Sequence, residues 1–280
     1  MNTSAFFRDK AVLITGASSG IGAEMARQLC AAGAKLTLAA RRRELLEDLA
    51  REISTRGSTE PLAVECDVTR EGDLERAVAE SVRRWGKLDV AIANAGFGVV
   101  GPLQALTLDD YRRQFETNVF GVLRTLYAAL PEIEKTKGHV VILGSASGWG
   151  ATPGASAYSM SKFAVRALAD AITPELRVSG VKVTLISPGF VASNIRRVDN
   201  QGKLHADMKD PVPPWLVMST EKAVRQMLRA ITRGKREVII TGHAKVLVAL
   251  QRFAPWVIRA ATRPWAARGA SYRSSPPPAN

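Results

Sequence analysis

Residues 11–32 constrain the fold more than any other stretch. Ala11-Val-Leu-Ile-Thr15 is an uninterrupted apolar run of strand length. Thr15-Gly-Ala-Ser-Ser-Gly-Ile-Gly22 follows, and Ala23-Glu-Met-Ala-Arg-Gln-Leu-Cys-Ala-Ala32 then opens a helix. A strand joined to a helix through glycines reverses sharply, and a strand without polar alternation is covered on both faces. The same order repeats downstream. Strands are predicted at 35–40, 62–66, 88–93, 139–143, 181–187 and 237–241. Helices are predicted between them at 44–53, 71–85, 109–135, 157–178 and 220–232, the last with Thr220 as its N-cap. Gly33 is placed to cap the first helix. This alternation implies an α/β fold, a doubly wound parallel sheet with helices on both faces, in a single domain spanning 1–241. Residues 190–219 hold Pro211, Pro213 and Pro214, lack clear periodicity, and read as a substrate lid. The stretch 242–270 reads as an amphipathic, basic helical extension, and 271–280, with Pro276-Pro-Pro278, as a disordered tail.

The glycine turn implies chemistry as well as topology. Gly16 allows the tight turn, Gly20 lets the backbone approach a pyrophosphate, and Gly22 lets the helix pack on the strand. The amides around Ser18, Ser19 and Ile21, with the positive end of the helix dipole, would face phosphates. A flexible strand-to-helix loop has the same composition, and the spacing departs from G-x-G-x-x-G. Where an acid commonly holds ribose hydroxyls at the end of the second strand, Ala40 stands, followed by Arg41-Arg-Arg43. The planar fork of Arg41 or Arg42 can hold a 2′-phosphate, so NADP (NADPH) is favoured over NAD; the alternative is a solvated helix start. Asp67 can accept a hydrogen bond from an adenine amino group with the Val68 amide beside it, or simply stabilise a turn. The small residues of Asn94-Ala95-Gly96 let the backbone line a cofactor.

Tyr158 and Lys162 stand four residues apart within a predicted helix, so they share a face. A phenol with its ordinary pKa of ~10 is a poor acid at neutral pH. A nearby ammonium stabilises the phenolate, and bringing the phenol near neutrality takes roughly 3 to 4 kcal/mol. A partly buried tyrosine and a solvated lysine sharing a face by chance would leave the same trace. Asn118, inside a predicted apolar helix, is either a tolerated exposed amide or one that bends the helix and holds a water.

Taken in order, Thr15-Gly16-x3-Gly20-x-Gly22, Asn94-Ala95-Gly96, Asn118, Ser145, Tyr158-x3-Lys162 and Pro188-Gly189 closely resemble the short-chain dehydrogenase/reductase family. The match covers about residues 10–241. The resemblance implies a Rossmann-type fold and nicotinamide-dependent oxidoreduction between an alcohol and a carbonyl. It implies Asn118, Ser145, Tyr158 and Lys162 as the catalytic set, with Tyr158 as proton donor or acceptor. Ser145 would orient the substrate oxygen, although Gly144 stands where the family usually has a second serine, and Ser147 can also be argued. Asn118 would hold a water that links Lys162 to solvent. The turn after Pro188-Gly189, with Val191 and Ser193, would hold the nicotinamide end. The family also implies a homo-oligomer through the helices at 109–135 and 157–178. No metal is called for.

Charge leaves two questions open. The net charge is +13, and residues 241–280 carry six basic residues and no acid. No nucleic-acid-binding module accompanies that charge, so no nucleic-acid partner is expected. Along 244–261 the apolar residues follow helical spacing, broken by Gln251 and Arg252 and by Pro255, which would kink the helix. That pattern is a poor membrane span but fits an interfacial helix on anionic lipid, and equally a helix over the substrate cleft or against a second subunit. Each reading implies a bulky hydrophobic small-molecule substrate. Residues 1–10 show no apolar signal segment, and Cys30 and Cys66 fall in apolar runs. Both point to a reducing, cytoplasmic setting, with membrane association through the extension as an option. A protein that binds nicotinamide cofactor without catalysis, or one that acts only at a membrane surface, is the alternative function.

Overall fold

The computed structural model describes residues 2–55, 59–200, 207, 210 and 212–269. The seven strands are β1 (Ala11–Thr15), β2 (Lys35–Ala40), β3 (Leu62–Glu65), β4 (Val90–Ala93), β5 (His139–Leu143), β6 (Lys182–Pro188) and β7 (Glu237–Ile240). They form one sheet in the order β3-β2-β1-β4-β5-β6-β7, parallel throughout. The chain runs outward from β1 to β3, then returns to place β4 on the other side of β1. Crossovers leave β1 and β4 in opposite directions, so a crevice opens beyond their C-terminal ends.

Strand periodicity divides the core. Val12 and Ile14, Val90 and Ile92, and Val141 and Leu143 face one layer. That layer includes helix α2 (Gly20–Ala31), helix α3 (Arg43–Ser54) and helix α8 (Thr220–Thr232). Leu13, Ala91 and Ala93, and Val140 and Ile142 face the other. There they meet α4 (Asp73–Trp85), α6 (Gly121–Lys135) and α7 (Ser156–Arg177). An unforeseen short helix, α1 (Thr3–Phe7), precedes β1 and buries Phe7 in the first layer. Gly33 takes φ +82° just beyond α2, as a helix-ending glycine does. Cys30 and Cys66 are both buried.

Two expectations need correction, and the kink read at Pro255 is a full break. The helix foreseen at 109–135 is broken. It consists of α5 (Leu108–Phe115), a wide π turn (Glu116–Phe120) and α6. Thr107 starts α5 with a reciprocal cap to Asp110, and Asn118 in the π turn is drawn inward to bond the Phe97 backbone. Thr220 does not cap α8. Ser219 does, and the Thr220 hydroxyl donates to the Ala192 carbonyl instead. The C-terminal extension is two helices, α9 (Gly242–Phe253) and α10 (Pro255–Gly269). They part at Ala254 (φ −142°, ψ 57°), pushed out of helical geometry by Pro255. The tail foreseen at 271–280 lies outside the described residues, as do several positions of the segment 190–219.

His139, at the start of β5, is a buried histidine with a fixed role. Thr184 Oγ1 gives its only hydrogen to the Lys235 carbonyl (2.6 Å), so it accepts from His139 Nε2–H (2.8 Å). His139 Nδ1 has no partner. Burial, with Lys182 and Lys10 nearby, lowers the pKa to about 4. The native state therefore binds the proton more weakly than the unfolded chain. The resulting stability is complete above pH ~6.5 and is lost as pH falls toward about 4. The slope is at most about 1.4 kcal/mol per pH unit. Denaturant melts at pH 7 and pH 5 should show a larger loss in the native protein than in His139→Gln, which keeps a donor for Thr184. Equal losses would remove His139 as the cause.

Candidate active site

The turn between β1 and α2 is built on close backbone approach. Gly16 takes φ +66°, and a Cβ there would sit 2.8 Å from Ala95 Cα. A Cβ on Gly22 would overlap the Gly16 carbonyl and stand 2.7 Å from Asn94 Nδ2. Asn94 Nδ2 donates to the carbonyls of Thr15 (2.9 Å) and Gly16 (3.1 Å). Thr15 Oγ1 accepts from the Asn94 and Ala95 amides, each at 3.1 Å. Asn94 thus ties the end of β4 to the glycine turn through its side chain. Gly20, at φ +55°, faces Ser193 across the crevice. No side chain caps the first amides of α2. A helix end of this kind, in a cradle that a Cβ would fill, fits a phosphate group.

The crevice is a cleft of about 680 Å³, within the usual range for ligand sites. It runs past the C-terminal ends of β1 to β6. Every residue expected to hold a cofactor lines it: Gly16 and Ser18 to Gly22 from the first turn, Arg41 and Arg42 after β2, Asp67 and Val68 after β3, Asn94 to Gly96 after β4, Tyr158 and Lys162 from α7, and Pro188, Gly189, Val191 and Ser193 after β6. Arg42 Nη2 donates to the hydroxyls of Ser18 (3.1 Å) and Ser19 (3.3 Å), so a cation and two hydroxyls stand together beside Ala40. Asp67 lines the cleft and also makes the turn: its Oδ1 accepts from the Thr69 amide (3.0 Å) and hydroxyl (2.8 Å).

Tyr158 and Lys162 occupy the other end, with Ser145. Lys162 is buried, and its Nζ donates to the Leu143 carbonyl (2.8 Å) while standing 5.9 Å from the centre of the Tyr158 ring. Burial lowers the ammonium to about 8, so it remains mainly charged at neutral pH. The Tyr158 phenol is raised above its ordinary value. Burial is the largest cause, opposed by a hydrogen bond from Ser145 and by the charge of Arg196. The expected downward pull of Lys162 is not what sets this group within the protein alone. Ser145 is better placed than Ser147. Its oxygen accepts the Ser147 amide (3.1 Å), which leaves its own hydrogen for the Tyr158 oxygen.

Asn118 stands apart from the other three. It does not line the cleft and is fully buried rather than exposed. Its Oδ1 accepts from the Phe97 amide (3.1 Å), and its Nδ2 donates to the Phe97 carbonyl (3.0 Å) and to Ser161 Oγ (3.2 Å). Both amide hydrogens are committed within the protein, so the expected grip on a water does not fall to that NH₂ group. The side chain braces the loop after Gly96 against α7.

A family model described as short chain dehydrogenase matches residues 10–204, which hold the glycine turn, the β4 clamp and the Ser145, Tyr158 and Lys162 cluster. The chain belongs to the short-chain dehydrogenase/reductase family. Dehydrogenase/reductase SDR family member 7B of Mus musculus is 34% identical over 86% of this chain and 76% of its own length. The 11-beta-hydroxysteroid dehydrogenase A of Sesamum indicum is 32% identical over 89% and 74% respectively. Among solved structures, the alcohol dehydrogenase of Thermococcus sibiricus complexed with 5-hydroxy-NADP superposes with a TM-score of 0.71 at 27% identity, covering 82% of this chain and 95% of that one. A short-chain dehydrogenase of Streptomyces avermitilis gives a TM-score of 0.75 at 28% identity, covering 93% and 99%.

The cleft and the segments beside it also hold residues that sequence reasoning passed over. Arg196, in the segment after β6, lines the cleft. It pairs in fork geometry with Asp210 (2.8 and 2.5 Å) and donates to the Val191 carbonyl. Arg113, Glu116 and Thr117 reach the cleft from α5 and the π turn. Their spacing signals an ordinary helix, and only the π turn shows that they reach the crevice. Asn200 exchanges two hydrogen bonds with the Val100 backbone, each 3.1 Å, and so joins the segment after β6 to the loop after β4.

Proposed function

We propose that this dehydrogenase interconverts an alcohol and a carbonyl with NADP(H), acting on a hydrophobic small molecule. The observation that carries the reading is the arrangement of one cleft. A proton-handling cluster of Ser145, Tyr158 and Lys162 stands at one end, and a cation with two hydroxyls stands at the other. Arg42 beside Ser18 and Ser19 suits a 2′-phosphate, while the Ala40 position supplies no carboxylate for ribose hydroxyls. The Thermococcus sibiricus structure, with its 5-hydroxy-NADP, supports the same choice. Phe97, Ile195 and Val198 give the cleft an apolar wall, and the hydroxysteroid named for the sesame relative is a ligand of that character.

The groups divide the work. A bound nicotinamide supplies or takes the hydride. Ser145, whose hydrogen points to the Tyr158 oxygen within the protein alone, turns it to the substrate oxygen and orients that oxygen. Tyr158, kept neutral by burial, gives that oxygen its proton as negative charge develops. Lys162 then stabilises the phenolate left behind. Asn118 holds the Phe97 loop, and thereby the floor of the substrate end. In the reverse direction Tyr158 takes the proton back. The segment 190–219 serves as the lid.

Two surfaces support the partners of this reading. Phe120, Tyr127, Met160 and Phe163 are exposed on the π turn, α6 and α7, the faces assigned to a homo-oligomer. On α9 and α10, Val246 (60%), Phe253 (80%) and Trp256 (70%) stand exposed beside Lys245, Arg252 and Arg259. No described helix is long and apolar enough to cross a membrane. Exposed apolar side chains whose described charged neighbours on these helices are Lys245, Arg252 and Arg259 suit the face of an anionic bilayer, and a cytoplasmic enzyme held there meets apolar substrates directly.

Three measurements test the reading. In a screen of ketones, sterols and long-chain alcohols followed by cofactor absorbance, Tyr158→Phe should lose at least about 100-fold in turnover while NADPH binding is retained. A wild-type chain that binds NADPH and turns over none of them favours the non-catalytic binder. Arg42→Ala should weaken NADPH by about 10- to 100-fold with NADH little changed; equal weakening of both cofactors would rule out the 2′-phosphate site. Flotation with anionic and neutral vesicles should carry the protein only with the anionic ones, and Phe253→Ser/Trp256→Ser should leave it behind.

A further inference from the structure

The start of α9 reaches back onto the cleft. His243 Nε2 accepts the Phe190 amide (3.0 Å), so that nitrogen carries no proton. The Thr241 hydroxyl approaches the same nitrogen (3.1 Å), and with its lone pair as the acceptor the hydroxyl is the donor. The imidazole ring stacks on the Phe190 ring, 5.2 Å between centres at 25°. Gly189 has no room for a side chain: a Cβ would overlap His243 Nε2 and Thr241 Oγ1 and stand 2.9 Å from Ala244 Cβ. The Gly189 amide donates to the Ile240 carbonyl (3.1 Å), which fastens the same point to β7.

The contact holds a strained residue. Thr241 takes φ +83° and ψ 143°, a region that a β-branched side chain enters only when its surroundings require it. That conformation ends β7 and turns the chain at once into α9, with His243 against Phe190. On the cleft side, Pro188, Gly189, Val191 and Ser193 line the same cleft as Tyr158 and Lys162. Burial lowers the His243 pKa, in keeping with a neutral ring that accepts. Thr241 and His243 lie beyond the 10–204 matched by the family model.

We infer that His243 is a positioning residue: its neutral Nε2 holds the Phe190 amide and so sets the Pro188–Gly189 backbone at the wall where a dinucleotide binds. On this reading α9 belongs to the active site rather than being appended to it. The inference rests on the assignment of the cleft to a nicotinamide dinucleotide.

The test uses the full chain, with NADPH as the probe in calorimetric titrations. It uses two substitutions. His243→Leu keeps bulk and removes the acceptor, whereas His243→Gln offers a carboxamide oxygen in its place. His243→Leu should bind NADPH at least about 10-fold more weakly, and His243→Gln should recover to within about 3-fold of wild type. Hydrogen exchange in a peptide covering 188–192 should quicken in His243→Leu and not in His243→Gln. If His243→Leu does not fold, His243→Asn, too short to keep the bond, replaces it in the same comparison. NADPH affinity unchanged in the acceptor-free variant overturns the inference. So does equal weakening in His243→Leu and His243→Gln, which would assign the effect to ring packing alone. A wild-type chain that binds neither NADPH nor NADH overturns it by removing the dinucleotide assignment, an outcome visible before any variant is made.

Discussion

The contact on which the rest depends is the approach of α2 to the end of β1. The Gly22 backbone lies so near the Gly16 carbonyl that one added carbon has no place. This closeness lets the uncapped amides of α2 open into the crevice instead of onto a side chain. It also gives Asn94 two carbonyls to hold, which joins the two strands from which the crossovers diverge. A looser turn would loosen the Asn94 clamp between the ends of β1 and β4. Glycine here serves proximity as much as dihedral freedom, since Gly22 does not take a positive φ.

At the far end of the cleft the electrostatics are less simple than a cation lowering a phenol. Lys162 is buried and spends a hydrogen on the Leu143 carbonyl, which fixes its position and keeps it over the Tyr158 ring. Burial acts on both partners in the direction of neutrality, raising the phenol and lowering the ammonium. The protein by itself therefore holds tyrosine as an acid beside a mainly charged lysine. Ser145 and Arg196 supply the opposing pull on the phenol, and Arg196 comes from the segment after β6. Arg196 thus brings a charge from the segment after β6 to bear on the phenol.

What could be read from the sequence follows from how local its cause is. The alternation of strands and helices was legible because apolar periodicity is set within each element. The cleft-lining glycines were legible because backbone geometry demands them. The π turn was not, since it depends on Asn118 bonding Phe97, twenty-one residues away in sequence. Thr220 looked like a cap, but its hydroxyl is claimed by Ala192, and Ser219 takes its place. Asp67 proved to be a turn residue and a cleft residue at once, so the two readings were never exclusive. Arg196 and His243 carried no motif, and only tertiary contacts reveal what they touch. In the extension, α9 packs its inner side on Phe190 and turns Val246 and Phe253 outward.

The π turn sets a phase for everything after it. One residue beyond the α-helical count rotates the following helix by about 100° about its axis. In this chain that rotation turns Val122, Leu126, Ala129 and Ile133 toward the sheet and leaves Tyr127 outside. Deleting a single residue between Glu116 and Phe120 would straighten the rod and move that apolar stripe about a quarter-turn off the sheet. The bulge that takes Asn118 inward is therefore also the device that keys α6 to its place in the core.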